Sequence, residues 1–449
     1  MTECTADRVE FSSLGRKKIQ ADFQGGTISS DAGAVLLREM DRQLGLIDTI
    51  NDIIADPRDP RYITHSQRSM IAQRIFAIAL GYEDGNDHQD LRNDPLFQIL
   101  ADRRVDDEAP LASPPTLSRL ENRVRREDMA RIAELFVEKF LEAHPTPPEQ
   151  IILDFDATDD PVHGRQEHRF FHGYYDHYCF LPLYVTCGPQ LLVAYLRPSN
   201  IDAARHSWAI LKLLVTRFRQ VWPDVRILFR ADSGFCRWRL MRWCDRHGVD
   251  YLLGLARNAR LLARAADLLD QARTQFEATA QKQRLFADFP YAAETWDRPR
   301  RVIAKAEHGE QGPNPRFVVT SLPGDGQELY DRLYCQRGDA ENRIKEQQLG
   351  LFADRTSCHA FLANQFRVLL SAAAYVLVET LRRVALTGTE LAAAQATTIR
   401  LKLLKVGGRV VRSVRRLVIH LATGYPLQNT FRAILQRLRD WRCQPARAP

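Results

Sequence analysis

The sequence predicts an α/β protein: a mixed sheet flanked by helices, preceded by a helical region and followed late in the chain by a β insertion. Three observations carry that reading. From residue 151 the apolar pattern changes from helical to strand spacing. Strands and amphipathic helices then alternate. The first three strands are joined by short turns, as in an antiparallel meander. With 449 residues, 45% hydrophobic and 27% charged, the chain has an ordinary globular composition and length for two or three domains.

The formal net charge of +7 favours a polyanionic partner. The eight cysteines, Cys4, Cys179, Cys187, Cys236, Cys244, Cys335, Cys358 and Cys443, include no Cys-x-x-Cys pair. Neither a zinc ribbon nor a dithiol redox site is expected, and thinly spread thiols fit a reducing compartment. The N-terminal residues show no basic start followed by an apolar run, so no signal peptide is expected. The longest apolar run, residues 368–378, falls well short of the roughly 20 residues of a membrane helix. The expected location is cytoplasmic.

Up to residue 145 the pattern is helical. Residues 30–44 have helical apolar spacing with Asp31 placed as N-cap, and residues 66–80 form a second helix. Residues 116–126, begun by Pro114-Pro115, carry Arg119, Arg123, Arg125 and Arg126. An arginine-rich helix in a basic chain presents its charge either to DNA or to solvent, and Arg119 and Arg123 are the candidates for DNA contact. Residues 130–143 follow as a helix, and Pro145, Pro147 and Pro148 mark a linker. The expected divisions are a helical region at 1–145 suited to DNA contact, an α/β region at 150–390 with its insertion at 285–325, and a basic region at 391–449.

The strand 151–158 alternates Ile151, Leu153 and Phe155 on one face with Ile152, Asp154 and Asp156 on the other. Two carboxylates on a half-buried strand cost several kcal/mol each unless paired or metal-bound. Strands at 174–187 and 190–196 follow, with Gly188-Pro189 as the turn. Helix 203–221 leads to strand 225–231, which ends at Asp232-Ser233-Gly234. Helix 238–247, capped by Gly248, leads to strand 250–256, and another helix spans 259–279. If the first and fourth strands are parallel neighbours, Asp156 and Asp232 converge at their carboxyl ends, where ligand sites form. Short β pieces between 285 and 322 then interrupt the alternation.

Residues 327–348 return to helix, placing Tyr334, Arg337, Glu341 and Lys345 on one polar face. That face is either exposed and held by i,i+4 ion pairs, or functional. The apolar helix 362–384 is expected in the core. Residues 399–442 hold eleven basic residues against the single acid Asp440, with some strand character between 407 and 419, a pattern for phosphate contact or for a solvated basic face.

Asp156, Asp232 and Glu341 brought together by the fold would hold two Mg²⁺ ions, since hard cations prefer carboxylate oxygens. Such a pair of ions activates the attacking oxygen and stabilises the leaving one in a phosphoryl displacement. No nucleotide-binding glycine loop and no Ser/His/Asp pattern competes. His163, His168, His172 and His177, among Phe170, Phe171, Tyr174 and Tyr175, form either a structural or DNA-facing loop or a metal cluster.

Asp156-Ala-Thr158, the strand end Arg230-Ala-Asp232-Ser-Gly-Phe235, and the helix Tyr334-x2-Arg337-x3-Glu341 together resemble bacterial insertion-sequence transposases with an RNase H-like DDE core. The branch is the one with a Tyr-Arg-Glu-Lys helix signature and a β insertion before it, and the resemblance covers roughly residues 151–381. It implies cut-and-paste transposition: cleavage at terminal inverted repeats of double-stranded DNA by a homodimer, then attack of the freed 3′-OH on target DNA. Residence is then cytoplasmic, with the nucleoid. Asp156, Asp232 and Glu341 would be catalytic and would hold Mg²⁺, with Mn²⁺ as substitute. Tyr334, Arg337 and Lys345 would contact DNA. The family's basic residue after the glutamate falls on Gln348, leaving Lys345 or Arg343 to replace it. The family's small residue and Thr after the first acid select Asp156 over Asp154. A nuclease that cuts without joining and a catalytically inactive DNA-binding derivative are the alternatives.

Overall fold

The computed structural model describes residues 8–103 and 109–441; Cys4, Arg442 and Cys443 lie outside them. The main sheet grows outward from β1 (Gln150–Ala157). It contains β2 (Leu183–Cys187), β3 (Gln190–Tyr195), β4 (Arg226–Ala231), β5 (Asp250–Leu255), β6 (Gln283–Tyr291), β7 (Arg300–Gly309) and β8 (Arg316–Thr320). Its order is β6-β7-β8-β5-β4-β1-β2-β3, with the short strand Gly312–Pro313 paired to β7. β4 runs parallel to both β1 and β5, while β1-β2-β3 is the expected antiparallel meander.

Parallel neighbours need a crossover, and helices supply it. The helix Ser207–Val221 leads into β4, and Trp238–Arg246 connects β4 to β5. Leu211, Leu214, Val215 and Phe218 of the first, with Leu240, Met241 and Cys244 of the second, pack on Ile151, Leu153 and Phe155 of β1 and their neighbours. The opposite face is covered more thinly. There Leu228, Leu252, Ile303 and Val318 meet Tyr330.

A second core lies among the N-terminal helices Val35–Leu44, Leu46–Ile53, Gln67–Leu80 and Pro114–Arg123, packed around Phe361–Leu381. Ile399, Leu403, Leu404, Phe431, Ile434 and Leu438 from the basic C-terminal stretch belong to the same cluster. Asp31 joins the N-terminal helices to the basic C-terminal stretch. Buried, it accepts the Tyr82 hydroxyl at 2.7 Å and pairs with Lys405 Nζ at 2.6 Å. It stands at the expected N-cap position, before the turn Ala32–Ala34, but makes no side-chain capping bond. The segment Phe361–Leu386 is long and apolar enough to cross a membrane, with an 18-residue stretch of mean hydropathy 1.5, but that stretch is mostly buried here in the central core helix.

Several expectations change. The strand expected at 174–187 is two strands. Pro182, lacking an N–H, breaks the ladder, and Leu181 donates sideways to Arg197. His177–Phe180 instead joins Phe170–His172 and Asp160–Pro161 in a small sheet of its own. The strands of the β insertion extend the main sheet, because β8 pairs antiparallel with β5. The basic tail forms a hairpin, Gly408–Ser413 with Arg416–Leu421, and a helix, Gln428–Asp440. A further hairpin, Val9–Leu14 with Lys17–Ala21, is exposed on both faces, so no buried alternation marks it in the sequence.

Candidate active site

The register of β1 against β4 builds the floor of the site. Asp154 lies opposite Arg230 and Phe155 opposite Ala231. Residues two apart share a face, so Asp156 and Asp232 follow on the same face, at the strands' carboxyl ends. Asp154 is fully engaged: Arg230 Nε donates to its Oδ1 at 2.5 Å and Nη2 to its Oδ2 at 2.7 Å, in a buried bidentate pair. Arg230 Nη1 also donates to the Leu333 carbonyl, tying the strand pair to the segment that carries Tyr334.

Asp156 faces a different partner. Its Oδ1 accepts the Ala157 N–H at 2.9 Å, and its Oδ2 lies 3.3 Å from Arg337 Nη1. The other terminal nitrogen of Arg337 is 2.5 Å from Glu341 Oε1. One guanidinium therefore bridges two of the three acids. Burial, and then the charges of Asp232 and Glu341, push the Asp156 carboxyl up to about 7 against the pull of Arg337. Asp232 caps the turn Ser233–Phe235 by accepting the Gly234 N–H at 2.9 Å. Glu341, 43% exposed, closes the group on the solvent side.

The helix expected at 327–348 is not continuous. The α-helix Arg337–Lys345 is flanked by wide turns at Leu329–Tyr334 and Glu346–Gly350, with a break at Cys335-Gln336. Widened turns of this kind recur at functional sites. Here the break lets Tyr334 reach back over β5. A Cβ on Gly254 would sit 2.5 Å from the Tyr334 hydroxyl, so only glycine fits beneath it. Burial raises the Tyr334 phenol, with Arg337 lowering and Asp232 raising it.

The other expected DNA contacts are placed less simply. Lys345 is exposed one turn beyond Glu341. Arg343 turns toward the core, 3.5 Å from the buried Glu346, which also binds Arg382 and the Ala396 N–H. Gln348 donates to the Asp159 carbonyl at 2.9 Å and so anchors the helix end to the turn after β1. Arg119 is exposed, within 3.0 Å of Thr116 Oγ1. Arg123 is engaged internally, 2.6 Å from Gln67 and 3.4 Å from Asp56. Among the four histidines, His177 Nε2 lies 2.8 Å from Asp159 Oδ2.

Two arginines that sequence reasoning passed over share a cavity wall with Arg337. A cavity of about 690 Å³ next to Asp232 is lined by Arg257, Arg316 and Arg337, with Tyr330 and Tyr334, and its wall holds no acid. Arg257 follows β5 and Arg316 opens β8. Neither stands in a recognisable motif, so only the pairing of β8 with β5 reveals that they meet.

Three carboxylates against one guanidinium leave an excess of negative charge, and their oxygens suit a hard divalent cation. Among the described residues no three His, Cys, Asp or Glu side chains stand close enough to hold one ion as they are. At Asp156 and Glu341 the reason is visible: Arg337 already serves as the cation between them. The donor set fits a metal provided that Arg337 swings aside.

A β3-β2-β1-β4-β5 sheet with acids at the ends of its central parallel strands, and a third acid on a later helix, defines the RNase H-like class of folds. The chain belongs to the family described as transposase DDE domain group 1, which matches residues 11–443. No curated protein matches it in sequence. Among solved structures it is similar to a piggyBac transposase synaptic complex with hairpin DNA, at 10% identity and a TM-score of 0.44. That similarity covers 83% of this chain and 79% of the other.

Proposed function

We propose that this member of the DDE transposase family carries out cut-and-paste transposition of an insertion sequence. It cleaves double-stranded DNA at terminal inverted repeats and joins the freed 3′-OH to target DNA. The observation that supports this most is the bridging of Asp156 and Glu341 by Arg337, at the end of the strand pair that carries Asp232.

Asp156, Asp232 and Glu341 would hold Mg²⁺, two ions in all, with Mn²⁺ as substitute. Such ions supply Lewis acidity to the attacking and leaving oxygens of a phosphodiester. The protein's own groups position the DNA. Asp154 and Arg230 lock β1 against β4 and fix the direction of both aspartates. Arg337, released from the acids, offers a planar fork to a phosphate, which a guanidinium binds in bidentate fashion. Tyr334, wedged on Gly254, packs against the same backbone. Arg257 and Arg316 extend the positive wall away from the acids. Lys345 and Arg119 are exposed cations for more distant phosphates, and the N-terminal helices supply end recognition. A homodimer would pair the two ends.

The test is strand joining. A duplex carrying a matched terminal repeat, pre-cut to expose its 3′-OH, is incubated with supercoiled target and Mg²⁺. Covalent insertion into the target is expected. Cutting of the uncut end without any joining would reduce the protein to a nuclease.

A further inference from the structure

We propose that the hairpin rising directly after β1 is a stacking surface for unpaired bases of the DNA end. This deepens the transposase reading and rests on it. Three residues beyond the end of β1, Asp160–Pro161 pairs with Cys179–Phe180, and Phe170–His172 pairs with His177–Phe180. The stem is held from several sides. Asp160 accepts the Thr356 hydroxyl at 2.9 Å, the Ser199 hydroxyl donates to the Phe170 carbonyl at 2.9 Å, and the Glu167 N–H donates to the His359 carbonyl at 3.0 Å. The hairpin is thus a fixed projection beside the acids.

Its outer surface is aromatic. Phe171 and Tyr178 are cross-strand partners with ring centroids 5.7 Å apart, and they are 53% and 48% exposed. Tyr174, at the tip, is 85% exposed. The Arg169 guanidinium lies 4.8 Å from the Tyr178 ring centre. A chain of rings leads inward: Tyr174 meets Tyr175 edge-on at 5.0 Å, and Tyr175 stacks on His177, which pairs with Asp159. Burial, then the charges of Asp159 and Asp156, push the Tyr175 phenol up to about 12.

The composition of the patch selects its partner. Every large exposed apolar side chain on this hairpin is aromatic, whereas the exposed aliphatic ones gather elsewhere, as Val9, Leu14 and Ile19 or Val411, Val414 and Val418. Aromatic rings beside a cation, here Arg169 at Tyr178, suit nucleobases, whose faces stack on them regardless of sequence. Bases inside a duplex have no free face, so the occupant is a nucleotide unpaired beside the cut. One such stack corresponds to roughly 5- to 150-fold in affinity.

The experiment compares the full-length protein with a Phe171→Ala, Tyr174→Ala double variant, by anisotropy in EDTA. The probes are an end-bearing duplex fully paired, and the same duplex with a short unpaired stretch at the cut. Wild type should prefer the unpaired probe by at least about fivefold. The double variant should lose that preference and bind the paired duplex as wild type does, and Tyr174→Trp should keep the preference. A variant that retains the preference, loses affinity for both probes equally, or changes oligomeric state without DNA would overturn the proposal. A wild type that binds neither probe would overturn the transposase reading with it. A wild type that binds both alike while still joining strands would overturn the hairpin proposal alone.

Discussion

Arg337 is the counter-ion of Asp156: its Nη1 lies 3.3 Å from Oδ2 of the acid, while its other arm grips Glu341. A plain i,i+4 helix pair is worth about 0.2–0.5 kcal/mol, and its loss would leave catalysis nearly untouched. A phosphate clamp working in the transition state is worth about 2.7–4 kcal/mol, or roughly 100- to 1000-fold. Arg337→Ala should therefore slow single-turnover cleavage by at least about 100-fold at saturating DNA, and Arg337→Lys should rescue poorly because an ammonium lacks the fork. A rate within about threefold of wild type would reduce the arginine to a surface partner, since threefold is roughly 0.65 kcal/mol.

The raised pKa of Asp156 has a stability consequence. Its folded value of about 7 lies above its ordinary 3.8, so ionising it costs folding free energy. The cost is absent below pH 3.8, grows as the pH rises, and is complete above about 7, with a ceiling of about 4 kcal/mol. In metal-free buffer at pH 8, Asp156→Asn should melt above wild type, and the difference should shrink toward pH 4. Added Mg²⁺ should raise the wild-type Tm and leave that of the variant unchanged. A variant that melts lower at pH 8 would show that Arg337 already compensates the charge.

Asp154 gives the opposite result. Its loss leaves the buried Arg230 without its carboxylate, a change that typically costs about 3–5 kcal/mol. Asp154→Ala should lower stability by that amount in urea unfolding at pH 7. An undiminished stability would remove the Asp154–Arg230 pair as the lock between β1 and β4.

The basic tail predicts salt dependence that point substitutions can test, since Leu403, Leu404, Phe431, Ile434 and Leu438 tie the tail into the core. Arg409, Arg415 and Arg416 are exposed on its hairpin. If each meets a phosphate, replacing it with Ala should reduce the slope of log affinity against log salt by about 1. An unchanged slope would turn that hairpin face away from DNA.

The sheet was legible because period-two alternation and short turns determine strand neighbours locally. The convergence of Asp156 and Asp232 followed from one inference, that the first and fourth strands run parallel. What stayed hidden depends on contacts distant in sequence. Strand alternation alone leaves Asp154 and Asp156 alike; the Ala157-Thr158 that follows points to Asp156, and Arg230 across the pairing supplies the physical reason by occupying Asp154. Pro182 was readable as a break in the strand 174–187, yet the apolar run on both sides masked it. The arginine-rich helix shows charge without direction: Arg119 is exposed, while Arg123 is spent on Gln67 and Asp56. Arg257 and Arg316 become neighbours only through the pairing of β8 with β5.

The most direct measurement is Mg²⁺-dependent nicking of an end-bearing duplex by Asp156→Ala, Asp232→Ala and Glu341→Ala, each checked for unchanged DNA affinity. All three should bind as wild type does and cut below detection. Wild-type cutting by any one of them would remove that residue from the site and contradict the account of a three-carboxylate centre.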